Sequence, residues 1–551
     1  MALARTHAMT LVGVQGHPVE IEADISNGMV ALLLVGLPDT ALREARDRIR
    51  SAIVNSGESW PHRRITVGLS PASLPKRGSG FDLGIAVAIL AAAGAVPSAR
   101  LRDLVLIGEL GLDGRVRPVP GVLPAAAAAV AAGFAAVAVA TENAAEAALV
   151  PDLRVISTPS LAAITGWLRN AGPARGSATV TVFEPGRDVS ADLGECSAGS
   201  PGGGPKGSGG GPKGSGGGSS GSGGGLGSRA GGGKDLADLV GQPVARRAAE
   251  ICAAGGHHLM LLGPPGVGKT MLAERIPTVL PRLEPAAALE VSAIHSVAGI
   301  LPPGRPLVTE PPFCAPHHTA TRAAIVGGGS GIIRPGAASL AHHGCLFLDE
   351  APEFSRDVLD SLRQPLESGE VLVARAGVTA CFPARFTLIL AANPCPCASA
   401  GTASAACSCT PLARRRYLSR LSGPLLDRVD AKIEFLPVRR AELLSDRTFT
   451  EPSAVVAVRV RQARERAAAR LAETPWRLNA QIPGSELRRS FAPESSALAP
   501  LERAMDLGRI SARGADRIIR LSWTLADLAA VRRPGTAEVG YALGLWLGTS
   551  R

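Results

Sequence analysis

Residues 263–270 read GPPGVGKT and have the types and spacing of a phosphate-binding loop. Glycines let the backbone N–H groups of such a loop face phosphate oxygens, and the helix that follows adds its partial positive charge. Lys269 can reach the β- and γ-phosphates of a nucleoside triphosphate, and Thr270 can ligate its Mg²⁺. An apolar run, residues 259–262, leads into the loop. The predicted nucleotide-binding residues are Gly263, Pro264, Pro265, Gly266, Val267, Gly268, Lys269 and Thr270.

Two further apolar runs end in polar residues that suit hydrolysis. Residues 345–348 lead into Asp349 and Glu350, and residues 386–392 lead into Asn393. Because α/β sheets bind ligands at the carboxyl ends of their strands, we expect these side chains beside the phosphate loop. Asp349 would hold Mg²⁺ through its water shell, and Glu350 would polarise the attacking water. Asn393 would orient that water or sense the γ-phosphate, so the set predicts Mg²⁺-dependent hydrolysis of ATP.

Four cysteines follow Asn393 in the pattern C-x-C-x₉-C-x-C: Cys395, Cys397, Cys407 and Cys409. Four thiolates close together suit tetrahedral Zn²⁺. The usual zinc knuckle is C-x₂-C, and the shorter spacing here departs from it. A zinc site, free thiols and disulfides are therefore three alternatives for this cluster.

The elements that must position these residues lie on either side of a glycine-rich stretch. Glycine makes up 20 of the 37 residues from 197 to 233, and such a composition cannot bury a core. The predicted divisions are a domain at residues 1–175, a flexible linker at residues 196–234, an ATPase domain at residues 235–437 and a helical lid at residues 438–551. In the first domain, apolar runs predict strands at residues 65–69, 104–107 and 136–140. Helical spacing places Leu42, Ala45, Ile49 and Ile53 on one face.

The bulk composition indicates a large globular protein. Of its 551 residues, 46% are hydrophobic and 19% charged. The net charge of +11 favours an anionic partner such as nucleic acid, although a mildly basic protein without such a partner is the alternative. The longest apolar run, residues 122–140, is mostly alanine and is broken by Pro124, so we expect no membrane partner. We find no secretory signal and no disulfide framework, and we expect a cytoplasmic protein.

The phosphate loop, the Asp-Glu pair and the strand-terminal asparagine together resemble the AAA+ ATPases, with Asn393 in the sensor 1 position. This resemblance implies a ring, usually a hexamer, in which each active site is completed by the neighbouring subunit. Residues 425–430, LLDRVD, resemble the arginine-finger segment of MCM and magnesium-chelatase relatives. Arg428 would then be the finger on the neighbour's γ-phosphate. The alternative for Arg428 is a salt bridge with Asp427 or Asp430.

Two further segments resemble parts of the same relatives. Residues 511–522 are similar to their sensor 2 helix, which implies that Arg513, or else Arg517 one turn on, contacts the γ-phosphate. Residues 370–377 and 378–386 read as two strands around a turn, with Arg375 near the tip. In the resembling helicases such a hairpin projects into the central channel and touches DNA, although a purely structural hairpin is the alternative.

Two histidine-rich segments indicate a particular group within these ATPases. Residues 312–321 (PFCAPHHTAT) and 335–344 (PGAASLAHHG) are similar to the ComM/YifB group of Mg-chelatase-like ATPases. The paired histidines suggest a metal site, with loop packing or DNA contact as the alternative.

The first domain resembles Lon proteases at residues 75–86 (PKRGSGFDLGIA) and 108–119. Lon-type proteolysis needs a serine activated by a desolvated lysine. Asp82 replaces that serine, and Leu123 and Ala125 fall where lysines would lie. Lys76, the only lysine before the linker, occupies a non-catalytic position. The resemblance implies a ribosomal S5 domain 2-like fold without protease activity, used in ring assembly or DNA engagement.

The expected fold class is α/β: a Lon-protease-like domain, a P-loop AAA+ domain and a C-terminal helical lid. By resemblance to the ComM/YifB group, we expect an ATPase with ATP and Mg²⁺ as cofactors that drives a hexameric DNA helicase in branch migration. One alternative is a magnesium-chelatase-like motor that remodels a partner protein, and another is an ATP-gated scaffold for DNA-processing proteins. A basic helix would either contact phosphates or form a solvated lid face paired with Glu465; its arginines are Arg459, Arg461, Arg464, Arg466 and Arg470.

Overall fold

Two β-sheets organise the chain, one before the glycine-rich stretch and one after it. The computed structural model describes residues 2–36, 39–76, 78–169, 180–185, 233–302, 304–329, 333–375, 378–397, 407, 409–438 and 450–548. Apart from its last two residues, the predicted linker at residues 196–234 lies outside the described residues. Within the described ranges, no helix is long and apolar enough to cross a membrane.

Among its described residues, the N-terminal region contains ten strands and five α-helices. The strands are β1 (Ala2–Val12), β2 (Gln15–Ser26), β3 (Ala31–Val35), β4 (Arg64–Ser70), β5 (Leu104–Leu106), β6 (Glu109–Leu110), β7 (Val116–Arg117), β8 (Ala136–Ala140), β9 (Arg154–Thr158) and β10 (Thr181–Phe183). The helices are α1 (Asp39–Asn55), α2 (Asp82–Ala92), α3 (Val122–Ala131), α4 (Ala144–Ala147) and α5 (Leu161–Arg169). Eight of the strands form one mixed sheet in the order β10-β9-β8-β5-β1-β2-β4-β3. The three strands predicted in this region are confirmed as β4, β5 and β8.

Burial follows the periodicity of each element. In β2 every second residue from Val19 onward is buried, because alternate side chains face the core. In α1 the residues Ala45, Ile49 and Ile53 are buried while Arg46 is exposed, which confirms the predicted apolar face for the three of its residues whose burial is described. Helix α2 is buried along its whole length, as its nearly continuous apolar sequence requires.

The second region contains a parallel sheet and a separate hairpin. The strands of this region are β11 (Leu259–Leu262), β12 (Phe313–Cys314), β13 (Cys345–Leu348), β14 (Glu370–Arg375), β15 (Val378–Pro383), β16 (Thr387–Ala392) and β17 (Ala431–Glu434). Five of them pair in parallel in the order β12-β13-β16-β11-β17, and β14 and β15 form a separate antiparallel hairpin. The strands read as continuous apolar runs because helices cover both faces of such a sheet. The carboxyl ends of β11, β13 and β16 therefore share one edge.

The helices of the second region continue into a helical C-terminal part. They are α6 (Pro243–Gly255), α7 (Lys269–Val279), α8 (Pro285–Ala298), α9 (Arg322–Val326), α10 (Ala337–Leu340), α11 (Arg356–Ser361), α12 (Arg363–Ser368), α13 (Pro411–Leu418), α14 (Gly423–Leu426), α15 (Ser453–Arg470), α16 (Gly484–Arg489), α17 (Ala499–Asp506), α18 (Ala512–Ala529) and α19 (Thr536–Leu547). Helix α15 packs against α6, α7 and α18. One hydrophobic core thus joins the C-terminal helices to the parallel sheet.

The N-terminal region packs against the second region through α3, α8 and the hairpin. The backbone N–H of Gly121, just before α3, donates to the carbonyl of Ser296 in α8 at 3.1 Å. Glu146, only 8% exposed, accepts hydrogen bonds from the backbone of Leu123 and from the Ser296 hydroxyl. The turn between β1 and β2 contacts β15, where a Cβ at Gly13 would meet the Cys381 carbonyl oxygen at 2.6 Å. The two regions therefore share a buried polar contact and a close backbone contact.

Candidate nucleotide-hydrolysis site

The predicted phosphate loop connects β11 to α7. Gly266 and Gly268 have φ values of 78° and 102°, which glycine adopts far more readily than other residues. A Cβ at Gly263 would meet Phe435 at 2.7 Å, so the start of the loop also requires glycine. Lys269 begins α7, and the backbone N–H groups of the loop and of the first helical turn form the kind of terminus that binds anions.

Lys269 and Thr270 connect this loop to the neighbouring strand ends. The Lys269 ammonium donates to the Gly263 carbonyl at 2.7 Å and to Asn393 Oδ1 at 3.0 Å. Thr270 Oγ1 donates to Asp349 Oδ2 at 2.7 Å. Burial lowers the pKa of Lys269, while the carboxylates of Asp349 and Glu350 act in the opposite direction. Side chains that follow three different strands therefore lie together at one edge of the sheet. The sequence predicted each of these positions from a separate apolar run.

Glu350 follows Asp349 at the end of β13 in a left-handed backbone conformation, with φ of 49°. Its N–H donates to Asp349 Oδ1 at 2.9 Å. Its carboxylate Oε2 lies 3.3 Å from Nδ1 of His318, a residue for which the sequence suggested metal binding, packing or DNA contact. Non-glycine residues rarely adopt this backbone region and often do so at functional sites. His318 therefore contacts the predicted catalytic base.

Tyr417 lies beside Asn393 and was not predicted from the sequence. It lies on α13 and is 5% exposed, and the Asn393 backbone is among the groups that act on the pKa of its hydroxyl. Burial raises the pKa of Tyr417 to about 12, with further contributions from the carboxylates of Glu353 and Glu350. The hydroxyl therefore stays protonated beside the site. The chain has only two tyrosines, which was the one available signal in the sequence.

Arg428 precedes β17, whereas the phosphate loop follows β11, and because these two strands are parallel the arginine and the loop of one chain lie toward opposite edges of the sheet. The Arg428 guanidinium is buried and contacts the Glu367 carboxylate and the Pro424 carbonyl. Burial lowers the pKa of Arg428, and the neighbouring guanidinium groups of Arg363, Arg517 and Arg513 lower it further. The ion pair therefore forms with Glu367, and the alternative partners considered from the sequence, Asp427 and Asp430, are wrong.

Arg513 and Arg517 differ in their surroundings. Arg517 Nη1 donates to Asp430 Oδ1 at 2.6 Å, and the carboxylate of Asp430 is fully buried. Burial alone would raise the pKa of Asp430, but Arg517 and the adjacent His257 and His258 hold it below the usual range of an aspartate. Arg513 lies in the first turn of α18 and is exposed. Arg513 is therefore accessible to a ligand, whereas Arg517 forms an ion pair with the buried Asp430.

The hairpin has Arg375 at the last pair before its turn. Arg375 lies opposite Val378, and residues 376–377 at the turn lie outside the described residues. Val371, Val373, Ala380 and Phe382 of the hairpin are buried, whereas Arg375 is exposed. Arg375 also borders a cavity of about 430 Å³ whose other walls include Thr10, Ser79, Phe81 and Val297. Arg375 is accessible, and the base of the hairpin is packed into the core.

The cysteine cluster is compact. The Sγ atoms of Cys395 and Cys397 are 3.2 Å apart, those of Cys397 and Cys407 are 3.4 Å apart, and all four Sγ atoms, including that of Cys409, lie within 4.8 Å of one another. A disulfide needs about 2.05 Å, so no described pair is bonded in that way. Zn–S bonds of about 2.3 Å in a tetrahedron separate the sulfurs by roughly 3.8 Å, and the observed spacing fits such an ion.

The other histidine pair lies against Glu290. His342 Nε2 and His343 Nε2 lie 3.0 and 3.3 Å from Glu290 Oε2. His342 Nδ1 accepts the backbone N–H of Arg385 at 2.9 Å, so in the neutral ring the proton is on Nε2 and points to Glu290. The hydrogen bond from His342 lowers the pKa of Glu290 to about 2. These hydrogen bonds join α8 to the segment before β16, as the packing alternative expected, and the ligand atoms of Glu290, His342 and His343 lie within 4.8 Å of one another, a spacing that could also hold a metal ion.

The basic helix, α15, packs some of its arginines against neighbouring helices and keeps others on a solvated face. Arg459 pairs with Glu250 at 2.6 Å, and Arg464 donates to the Ala253 carbonyl at 2.7 Å. Arg470 pairs with Asp527 and lies over the Trp523 ring at 4.3 Å. Arg461 forms an exposed pair with Glu465 at 3.8 Å, as the solvated-face alternative expected, and Arg466 donates to the Asp527 carbonyl. Sequence reasoning missed the packing of this helix on α6 and α18.

The Lon-like segment forms a buried ion pair. Asp82 is 1% exposed at the start of α2 and lies 2.8 Å from Arg48 Nε. Burial raises the pKa of Asp82 to about 6, against the hydrogen bond from Arg48. The Lys76 ammonium is also buried and donates to the carbonyls of Pro71 and Leu74. Both charged groups therefore hold local structure in this region.

Comparison with known families identifies the chain. Family models described as "Subunit ChlI of Mg-chelatase", "Magnesium chelatase, subunit ChlI" and "Magnesium chelatase, subunit ChlI C-terminal" match residues 21–143, 235–443 and 450–545. An uncharacterised protein of Mycobacterium tuberculosis is 48% identical over 98% of both chains. YifB of Escherichia coli, also uncharacterised, is 38% identical over 96% of this chain and 94% of its own length.

Two further proteins match this chain, one over nearly its full length and one over a part of it. The competence protein ComM of Haemophilus influenzae is 38% identical over 99% of this chain and 97% of its own length. Lon protease 2 of Bacillus subtilis is 30% identical over 153 residues, which cover 26% of this chain. The long matches span the sheet with the phosphate loop, its strand ends and the C-terminal helices. The chain therefore belongs to the ComM/YifB family of Mg-chelatase-like proteins.

Proposed function

We propose that this protein hydrolyses ATP with Mg²⁺ and uses the energy to drive a ring-shaped motor on DNA. The observation that carries the ATPase proposal is the convergence of Lys269, Thr270, Asp349 and Asn393 on one sheet edge, with Glu350 adjoining Asp349. Thr270 and Asp349 would hold Mg²⁺, which would neutralise charge on the phosphates. Lys269 would bind the β- and γ-phosphates, and Glu350 would take the proton of the attacking water.

The positions of the arginines support a site completed by a second copy of the chain. The charged groups that act on Lys269 are the carboxylates of Asp349 and Glu350. Those that lower the pKa of Arg428 are other arginines, Arg513 among them. Among the described residues, Arg428 precedes β17 and the phosphate loop follows the parallel strand β11, so the two lie toward opposite edges of the sheet. A neighbouring subunit that supplied Arg428 and Arg513 would bring the two parts together, as a hexameric ring allows.

DNA as the substrate of the motor rests on charge, the hairpin and the family. The net charge of +11 and the exposed Arg375 suit a phosphate backbone. A relative over nearly the full length is named as a competence protein. The second candidate is a motor that remodels a partner protein, which is favoured by the magnesium-chelatase names of the family models.

Rates of ATP hydrolysis with branched, single-stranded and no DNA separate these candidates. The DNA motor predicts a higher rate with DNA and binding that weakens as salt rises. Lys269→Ala and Glu350→Gln should both abolish turnover, and Glu350→Gln should still bind ATP because its carboxylate acts in chemistry. An unchanged rate with every DNA, together with no salt-sensitive binding, excludes the DNA motor. Turnover that survives in Glu350→Gln excludes that residue as the base.

We also propose that the four clustered cysteines bind one structural Zn²⁺. Four thiolates would close the coordination shell and fix the chain between Asn393 and α13, the helix that carries Tyr417. Metal analysis of the purified protein should give about one zinc per chain. Cys397→Ser with Cys409→Ser should release it. A zinc content near zero in the unsubstituted protein excludes the site.

A further inference from the structure

A basic surface lies at one end of the N-terminal sheet, apart from the nucleotide site. Arg50 in α1, Arg63 before β4 and Arg64 at the start of β4 are all exposed. In the part of the chain that the structure describes, none of these three guanidinium groups forms an ion pair or a hydrogen bond. Protein surfaces usually mix charges of both signs, so three unpaired cations favour an anionic partner.

Apolar side chains lie among these arginines. The Arg50 guanidinium is 6.0 Å from the centre of the Trp60 ring, and the half-buried Trp60 comes three residues before Arg63. Met29 is 89% exposed and follows a glycine whose added Cβ would lie 3.5 Å from the Cβ of Arg64. Together these five residues form what we call the basic–apolar surface. Its composition suits a ligand that presents both negative charges and apolar faces.

Single-stranded nucleic acid has this combination of groups. Its phosphates bind arginines, and its unpaired bases are free to stack on aromatic side chains and to contact apolar ones. The bases of a duplex are stacked and paired, so a duplex offers mainly its phosphates to such a surface. An anionic membrane also carries negative charge, but membrane binding grows with the apolar area that is inserted, and the large exposed apolar side chains here are few.

The basic–apolar surface is separate from the hairpin. Strand β2 begins at Gln15, beside the turn that contacts β15, and ends at Ser26, which pairs with Arg64. Its 12 residues rise about 3.3 Å each, so its two ends lie roughly 35 Å apart. A ligand on this surface would therefore be held independently of Arg375.

We propose that the basic–apolar surface binds single-stranded DNA, with its arginines on the phosphates and its apolar side chains on the bases. This inference rests on the proposed DNA motor and gives the N-terminal region a part in it. Each chain then has two separate contacts to DNA, one at the hairpin and one at the far end of β2.

Binding of a fluorescent oligothymidine of roughly 30 nucleotides to the full chain tests the proposal. Arg63→Ala combined with Arg64→Ala removes two phosphate contacts. It should lower the slope of log affinity against log salt concentration by about 1.4 for each chain that the strand contacts. Arg63→Lys with Arg64→Lys keeps both charges and should keep the slope. Met29→Ser should weaken binding about equally at every salt concentration and leave the slope as it is.

Arg102→Ala combined with Arg154→Ala is the matched control. Both arginines are exposed and belong to the same region, and β9, which begins at Arg154, lies five strands from β4 in the sheet. This variant removes the same charge and should keep the slope. Because all four arginines are exposed, the unfolding midpoint should stay the same in both double variants. A slope that is unchanged in the Arg63 and Arg64 variant, or that falls equally in the control, overturns the inference and leaves the motor in place.

Three further outcomes separate this surface from the motor. If the unsubstituted protein binds no oligothymidine, the inference and the DNA motor fail together. If the surface binds oligothymidine but no DNA changes the rate of ATP hydrolysis, the surface stands and the motor fails. Binding through these arginines to phosphatidylglycerol vesicles, with none to oligothymidine, overturns DNA as the partner of the surface.

Discussion

Arg513 and Arg517 lie one turn apart on α18, and the sequence left either one as the contact to the γ-phosphate. Arg517→Ala would leave the fully buried Asp430 without its partner, so we expect a loss of about 3–5 kcal/mol in the free energy of unfolding. Arg513→Ala removes an exposed side chain and should change that free energy by less than about 0.5 kcal/mol while it lowers ATP turnover. Denaturant unfolding and ATPase rates measure both effects.

The pH dependence follows from the same pair. The pKa of Asp430 is held below its usual range, so the pair stabilises the folded chain above the pKa of an unfolded aspartate. That contribution is lost only as the pH falls towards the lower pKa of the folded state. Equal losses of stability in Arg513→Ala and Arg517→Ala would contradict this assignment of the two residues.

The positions of site residues that belong to local sequence motifs could be predicted from the sequence. The positions of residues that reach the site through tertiary packing could not. Asp349 directly follows an apolar run, and Lys269 ends a glycine-rich loop that follows another, so both positions could be predicted from the local sequence alone. His318 reaches Glu350 only because β12 pairs with β13, and Glu367 of α12 contacts Arg428 across a sequence separation of 61 residues. Apolar runs do not indicate the order in which parallel strands pair, so these contacts could not be predicted from the sequence.

At the scale of elements, the hairpin is both a packed unit and the expected contact to DNA. Arg375 is its exposed cation next to the turn, and the buried residues of the hairpin hold that position. Arg375→Ala should reduce the ratio of ATPase rates with and without DNA and should lower the salt dependence of DNA binding by about one phosphate contact. Titration of DNA binding against salt concentration gives the slope directly.

Arg356→Ala is the control for the hairpin variant. Arg356 is also exposed, on α11, and its weak pair with Asp360 spans 3.7 Å. It should leave both the rate ratio and the salt slope as they are. If Arg375→Ala and Arg356→Ala give the same slope as the unsubstituted protein, the hairpin has a structural role only.

At the scale of the whole molecule, the N-terminal region contacts the moving parts of the proposed motor. Glu146 joins α4 to Ser296 of α8, and Gly13 lies on the backbone of β15. A region attached to both α8 and the hairpin constrains how far either can shift when nucleotide binds. The ion pair of Asp82 with Arg48 joins α2 to α1 within this region.

A site shared between subunits makes a quantitative prediction for mixed rings. Arg428→Ala and Glu350→Gln should each be nearly inactive alone, because every interface lacks either the finger or the base. In an equal mixture, an interface is intact when an Arg428→Ala chain supplies Glu350 and a Glu350→Gln chain supplies Arg428. Random assembly makes about one interface in four intact, so independent sites would recover roughly a quarter of the full ATPase rate.

The same mixture also tests the alternative that Arg428 acts within its own chain. In that case no chain carries both groups, and mixing would recover no activity. Glu350→Gln mixed with Lys269→Ala is the control, because Lys269 and Glu350 belong to the same face of one chain and cannot complement each other. Recovery in the first mixture and not in the second would place Arg428 at the neighbour's nucleotide. Since Glu367 holds Arg428 within a single chain, assembly would then have to exchange that carboxylate for a phosphate.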